Sequence, residues 1–201
     1  VSHTCMVVNT TNWVSNPGPK AYCWGSGSNG KIGDGHTIYR HSPTFVEDGT
    51  PTNQPLNARI IATGAQHTCA ILGPSYMDSQ QTMDSVACWG ANWHGQLGDG
   101  NYGSPFASAV AIEVSMPSGK RAVSLSIGYE ISCAALDDGT AVCWGGMTSS
   151  TTHGFTPSTT PTNVNLTSGR TALSVSAGRS QFCVLQDNGS AICGGVNTYG
   201  Q

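Results

Sequence analysis

The residues best equipped for chemistry are eight cysteines that fall into four pairs: Cys5 with Cys23, Cys69 with Cys88, Cys133 with Cys143, and Cys183 with Cys193. Metal ligation, free-thiol burial and cross-linking all compete for such residues. Zinc asks for two close thiolates, or a thiolate with an imidazole, at each end of a loop, and the sequence holds no Cys-x-x-Cys. Asp138 lies midway between Cys133 and Cys143, and Asn188 midway between Cys183 and Cys193. An antiparallel hairpin turning at those residues sets each pair directly opposite on one face, within disulfide reach. Four matched pairs with no cysteine left over favour disulfides over buried thiols, and disulfides imply an oxidising compartment.

The other candidates point away from catalysis. His3 and His67 occupy the same place before a leading cysteine, a place that holds Ile131 and Gln181 in the other copies, so the position reads as a structural slot. Asp34 and Asp99 lie in matching Gly-Asp-Gly turns, where an aspartate bonds its own backbone. Asp137-Asp138-Gly139 lacks the alternating ligands and distal glutamate of a calcium loop. The sequence therefore nominates no catalytic, cofactor or metal residue. Trp24, Trp89 and Trp144 follow the second cysteine of their pairs and read as packing, whereas Trp13 and Trp93 fall outside that slot and are the candidates for an exposed contact.

These residues sit in a repeat. Cys88-Trp89-Gly90-Ala91-Asn92-Trp93-His94-Gly95-Gln96-Leu97-Gly98-Asp99-Gly100 echoes the stretch from Cys23 to Gly35, and worn forms follow Cys143 and Cys193. Cys5, Cys69 and Cys133 recur at intervals of 64 residues, and Cys183 follows 50 later. Periods of this size point to propellers or solenoids. Val123, Leu125 and Ile127 alternate with small or polar residues, as in a half-buried strand. Residues 131–136 and 140–144 then form a hairpin across Asp137-Asp138-Gly139. A Gly-rich loop and a Pro-led extended piece complete about four strands per unit, with no helical period over three turns, so the predicted fold is all-β. The repeats run over about residues 1–50, 51–115, 116–165 and 166–201. Residues 9–20 and 74–85 replace the tight turns with longer tips, where such scaffolds place specific binding. The chain begins and ends within the repeat and reads as an excerpt of a longer polypeptide.

Only 9% of residues are Asp, Glu, Lys or Arg, against about 25% in an average soluble protein. A net charge of −3 offers no basic stripe for phosphate, which argues against nucleic acid as a partner. No run of eighteen apolar residues exists to span a bilayer as a helix. Sequons at Asn9, Asn165 and Asn188 agree with an oxidising, secretory context and would carry N-linked glycans.

The Cys-Trp-Gly-x-Asn-x-x-Gly-Gln-Leu-Gly-x-Gly pattern, preceded by Gly-x-x-His-Thr-Cys-Ala-x-Leu, resembles the regulator of chromosome condensation repeat in a secreted-looking variant with a cysteine pair in each hairpin. Residues 64–100 match closely, 1–35 well, and 128–145 and 178–201 in part. The resemblance implies a β-propeller of four-stranded blades, usually seven to a ring, of which about four are present here. The family's best-known member is a nuclear guanine-nucleotide exchange factor, and no exchange-specific residue can be carried onto this sequence. The expected function is an extracellular structural or interaction module of a cell-surface or appendage assembly, not an enzyme. Its partners would be other protein subunits or copies of itself. A secreted enzyme, or an inhibitor or adhesin using the hairpin tips, are the competing readings.

Overall fold

The computed structural model describes residues 3–10, 18–73, 85–146 and 157–195. It contains four antiparallel sheets, met in sequence order as four blades. The first holds β1 (His3–Thr10), β2 (Gly18–Gly25) and β3 (Arg40–Phe45). The second runs β4 (Ala58–Thr63), β5 (His67–Leu72), β6 (Val86–Gly90) and β7 (Ser108–Glu113). The third runs β8 (Ala122–Ile127), β9 (Ile131–Leu136), β10 (Ala141–Gly145) and β11 (Ser158–Asn163). The fourth holds β12 (Ala172–Ala177), β13 (Gln181–Gln186) and β14 (Ala191–Gly195). Consecutive strands are neighbours in every sheet, so each blade is a meander.

Apolar clusters lie between blades. One unites Ala70, Trp89 and Leu72 with Ala21, Cys23 and Ile32 of the first blade. A second joins Cys69, Ile71 and Cys88 to Ala134, Val142 and Trp144. A third packs Ile131, Cys133 and Cys143 against Phe182 and Val184. Because β5, β6, β9 and β10 are covered on both faces, they are buried along their whole length and show no apolar–polar alternation, their polar members being His67, Thr68 and Ser132 near the strand starts.

Each leading cysteine stands opposite its partner: Cys5 faces Cys23, Cys69 faces Cys88, Cys133 faces Cys143, and Cys183 faces Cys193. All four pairs are disulfides, and no cysteine is free. Residues 9 and 10 depart from the expected loop. The ladder of the first hairpin continues through Asn9 opposite Pro19 and Thr10 opposite Gly18, so the tip is shorter than the cysteine spacing suggests. Extended pairing satisfies backbone groups that a twelve-residue loop would leave to water. Trp13 and most of the 74–85 tip lie outside the described residues.

The repeated tryptophan joins one blade to the next. The Trp89 indole donates to the backbone carbonyl of Lys31, 3.1 Å away, and Trp144 donates to that of Gln96 at 2.9 Å. The glycine two residues beyond each acceptor, Gly33 or Gly98, has φ of +83° or +74°, and a Cβ there would lie 2.7 Å from the indole nitrogen. Gly-Asp-Gly is thus the seat for the next blade's tryptophan, and the bare α-carbon is what admits it.

Candidate functional site

The loops leading into the second strand of blades two, three and four meet at one end of the blades. Residues 64–66, 128–130 and 178–180 form these loops, and their leading glycines let the backbones nearly touch. A Cβ on Gly64 would lie 2.2 Å from the Gly128 carbonyl oxygen, and one on Gly128 would lie 1.7 Å from that of Gly178. The Tyr129 and Glu130 amides donate to the carbonyls of Gly178 and Arg179, both at 3.2 Å. The long loop after β6 reaches the same end, because Ala91 N–H donates to the Gln66 carbonyl at 3.0 Å.

Charged and aromatic side chains converge there. Glu130 Oε1 stands 3.7 Å from His94 Nε2, and Glu130 Oε2 accepts from Ser180 Oγ at 3.4 Å. The Arg179 guanidinium lies over the Tyr129 ring, 5.3 Å from its centroid, and Gln66 donates to the Tyr129 hydroxyl at 3.3 Å. Trp93 precedes His94 in the chain and is 37% exposed. Stacking on tyrosine holds Arg179 flat while its donors stay available at the rim. Ser180 Oγ is bonded to a carboxylate, and no imidazole is within hydrogen-bond reach of it among the described residues. Among the described residues no group of three or more histidines, cysteines or acids could hold a metal ion.

His3 and His67 lie at the blade junctions. Thr68 and Ser132 spend their hydroxyl hydrogens on the Lys31 and Gln96 carbonyls, at 3.1 and 3.0 Å. The rings must therefore donate: His3 Nε2 to Thr68 Oγ1 at 2.5 Å, and His67 Nε2 to Ser132 Oγ at 2.7 Å. Their Nδ1 atoms are buried without a hydrogen-bond partner among the described residues. Burial, reinforced by Lys31, lowers His3 to about 4; burial, reinforced by His3, lowers His67 to about 3.

Asp99 accepts from Asn101 N and Asn92 Nδ2 at 3.1 and 3.2 Å, as turn chemistry requires. Asp34 accepts from His36 N at 3.3 Å and also pairs with Arg40, a partner that the turn motif does not reveal. Hydrogen bonds from Lys120 and then Thr140 hold the Asp138 carboxyl down to about 2. Lys20 is fully buried, its amino group bonded to Asn57 Oδ1, and burial lowers its affinity for the proton. The sequon asparagines Asn9, Asn165 and Asn188 are exposed, and Asn188 also closes its turn by accepting from Ser190 N and Oγ.

The sequence motifs did not single out Gln66, Tyr129, Glu130 or Arg179. The signal available was their variability: Ala65-Gln66, Tyr129-Glu130 and Arg179-Ser180 differ completely between a repeated glycine and the repeated strand.

Residues 20–71 match the family described as the regulator of chromosome condensation (RCC1) repeat. The chain is 29% identical over 146 residues to the ultraviolet-B receptor UVR8 of Arabidopsis thaliana, covering 72% of this chain and 29% of that protein. Among solved structures it resembles human WBSCR16, with a TM-score of 0.75 and 17% identity over 99% of this chain and 46% of the other. It also resembles Saccharomyces cerevisiae Prp20p, whose structure is described together with its binding to Gsp1p and histones; the TM-score is 0.65 and the identity 21%, over 89% of this chain and 42% of that one. At these identities the structural likeness carries the propeller fold alone, and the chain spans less than half the length of each relative.

Proposed function

We propose that the chain serves as a protein-interaction module whose contact face is the loop end carrying Trp93, His94, Tyr129, Glu130 and Arg179, a reading supported by the match of residues 20–71 to the regulator of chromosome condensation repeat. The observation that carries this reading is the convergence of Trp93 and His94, Tyr129 and Glu130, and Arg179, from loops of three blades, at one end of the blades. Exposed aromatics and arginine are the residue types that dominate binding energy at protein interfaces. The yeast neighbour's described binding to Gsp1p and histones supports a protein partner over a small molecule.

The setting proposed is extracellular, as a subunit of a cell-surface or appendage assembly, with glycans on Asn9, Asn165 or Asn188 masking other faces. Four disulfides support an oxidising compartment. No helix among the described residues is long and apolar enough to cross a membrane.

The test uses protein from its native source. Intact mass without reductant should show all eight thiols bonded, with glycan mass on at least one sequon, and Arg179→Ala or Tyr129→Ala should weaken subunit association at least tenfold while Asp187→Ala at the opposite hairpin tip leaves it unchanged. Alkylation of most cysteines without reductant would remove the extracellular setting, and indifference of association to both loop-face variants would remove the contact face.

A further inference from the structure

The two histidine relays have a geometry that a merely structural slot does not need. At each junction a hydroxyl and an indole of the neighbouring blade donate to one loop carbonyl, and a histidine donates to that hydroxyl: Thr68 and Trp89 on Lys31 with His3 behind Thr68, and Ser132 and Trp144 on Gln96 with His67 behind Ser132. The hydroxyl is saturated by its own donation, so the relay holds only while the ring donates through Nε2. Its other nitrogen is then a buried acceptor to which none of the described residues donates. Adding a proton there creates a buried cation whose new N–H has no acceptor, an arrangement that folded proteins avoid.

We propose that these relays form an acid-sensitive latch: protonation of His3 and His67 frees the Lys31 and Gln96 loops from the neighbouring blades and so disorders the loop face. The second loop bears Trp93 and His94; its own bonds, His94 N to Gln96 Oε1 at 2.8 Å and Leu97 N to Asn92 Oδ1 at 3.1 Å, centre on the residue whose carbonyl the neighbouring blade holds. The charged groups acting on the rings are Lys31 on His3 and His3 on His67, and both oppose a further positive charge. The remaining polar partners, Thr68, Ser132, Gln96 and the two tryptophans, do not titrate.

The sign follows from the two states. An opened relay exposes a histidine that takes a proton below its ordinary value of 6.5, while the closed relay resists until about 4 at His3 and about 3 at His67. Closure is therefore complete above pH 6.5 and weakens as pH falls from 6.5 toward 3, favouring opening by about tenfold per pH unit for each histidine.

The regulation of binding rests on the proposed contact face, but the latch itself is testable on the isolated, oxidised chain with no partner present. Amide hydrogen exchange read by mass spectrometry at pH 7.0 and 4.5, corrected for intrinsic rates, should show residues 91–101 gaining about 100-fold in exchange relative to β9. His67→Gln keeps a donor for Ser132 without titrating, and glutamine already stands in this slot at Gln181; the gain should vanish in that variant for residues 91–101 and persist for residues 26–35. No acid-dependent gain in the unmodified chain, or an undiminished gain in His67→Gln, overturns the latch. Should the variant misfold, proton NMR titration of the unmodified chain decides: a His67 ring that titrates near 6.5 while the loop stays protected also overturns it. Either failure leaves the contact-face reading to stand on the Arg179 and Tyr129 variants.

Discussion

At the scale of single residues, glycine identity separates backbone conformation from close approach. Gly98 and Gly119 share a φ of +74°, but a Cβ on Gly98 would meet the Trp144 indole at 2.7 Å, whereas one on Gly119 would meet nothing within 4 Å. Gly119→Ala should cost about 1 kcal/mol, the conformational penalty alone. Gly98→Ala should cost about 2–4 kcal/mol, because it also drives the indole off the Gln96 carbonyl. Chemical denaturation of the oxidised protein reads both, and equal losses would show that the tryptophan seat contributes nothing.

At the scale of elements, the hairpins conserve volume by exchanging it between strands. Thr68 stands opposite Trp89 and Ser132 opposite Trp144, but in the fourth blade Phe182 stands opposite Gly194. The large residue has moved to the other strand, and its ring is buried against the third blade at 1% exposure. This junction consequently uses apolar packing where the other two use a hydrogen-bonded relay. Phe182→Ser should cost about 3–5 kcal/mol through the cavity it leaves. Combining it with Gly194→Trp should recover at least about 1 kcal/mol of the two separate losses, a coupling that a double-mutant cycle measures. Strict additivity would mean that the two positions do not share one volume. The exchange also explains why the fourth copy looks degenerate when read one strand at a time.

The whole molecule is polar without being charged. A net charge of −3 over 201 residues gives little repulsion between copies, and hydroxyl and amide surfaces can pair through bridging water. Sedimentation at neutral pH should therefore show concentration-dependent association that persists at 0.5 M salt, since it does not rely on ion pairs. Dissociation on adding salt would instead assign it to ion pairs between copies.

Period and residue type alone determined the repeat, the all-β class and the pairing of cysteines. These are local properties: strand alternation, turn residues and the symmetry of a hairpin about Asp138 or Asn188 fix which side chains stand opposite. The shared place of His3 and His67 in the repeat and the turn position of Asp99 were legible for the same reason. The extension of the first ladder to Thr10 was not, because pairing across Asn9 and Pro19 wins against loop propensity only once the two strands are aligned. The contact between blades was also hidden, since Trp89 and Lys31, or His94 and Glu130, lie 58 and 36 residues apart and meet only when blades pack. Tertiary structure alone decided which variable loop residues would share one face, because that depends on glycines letting three backbones touch.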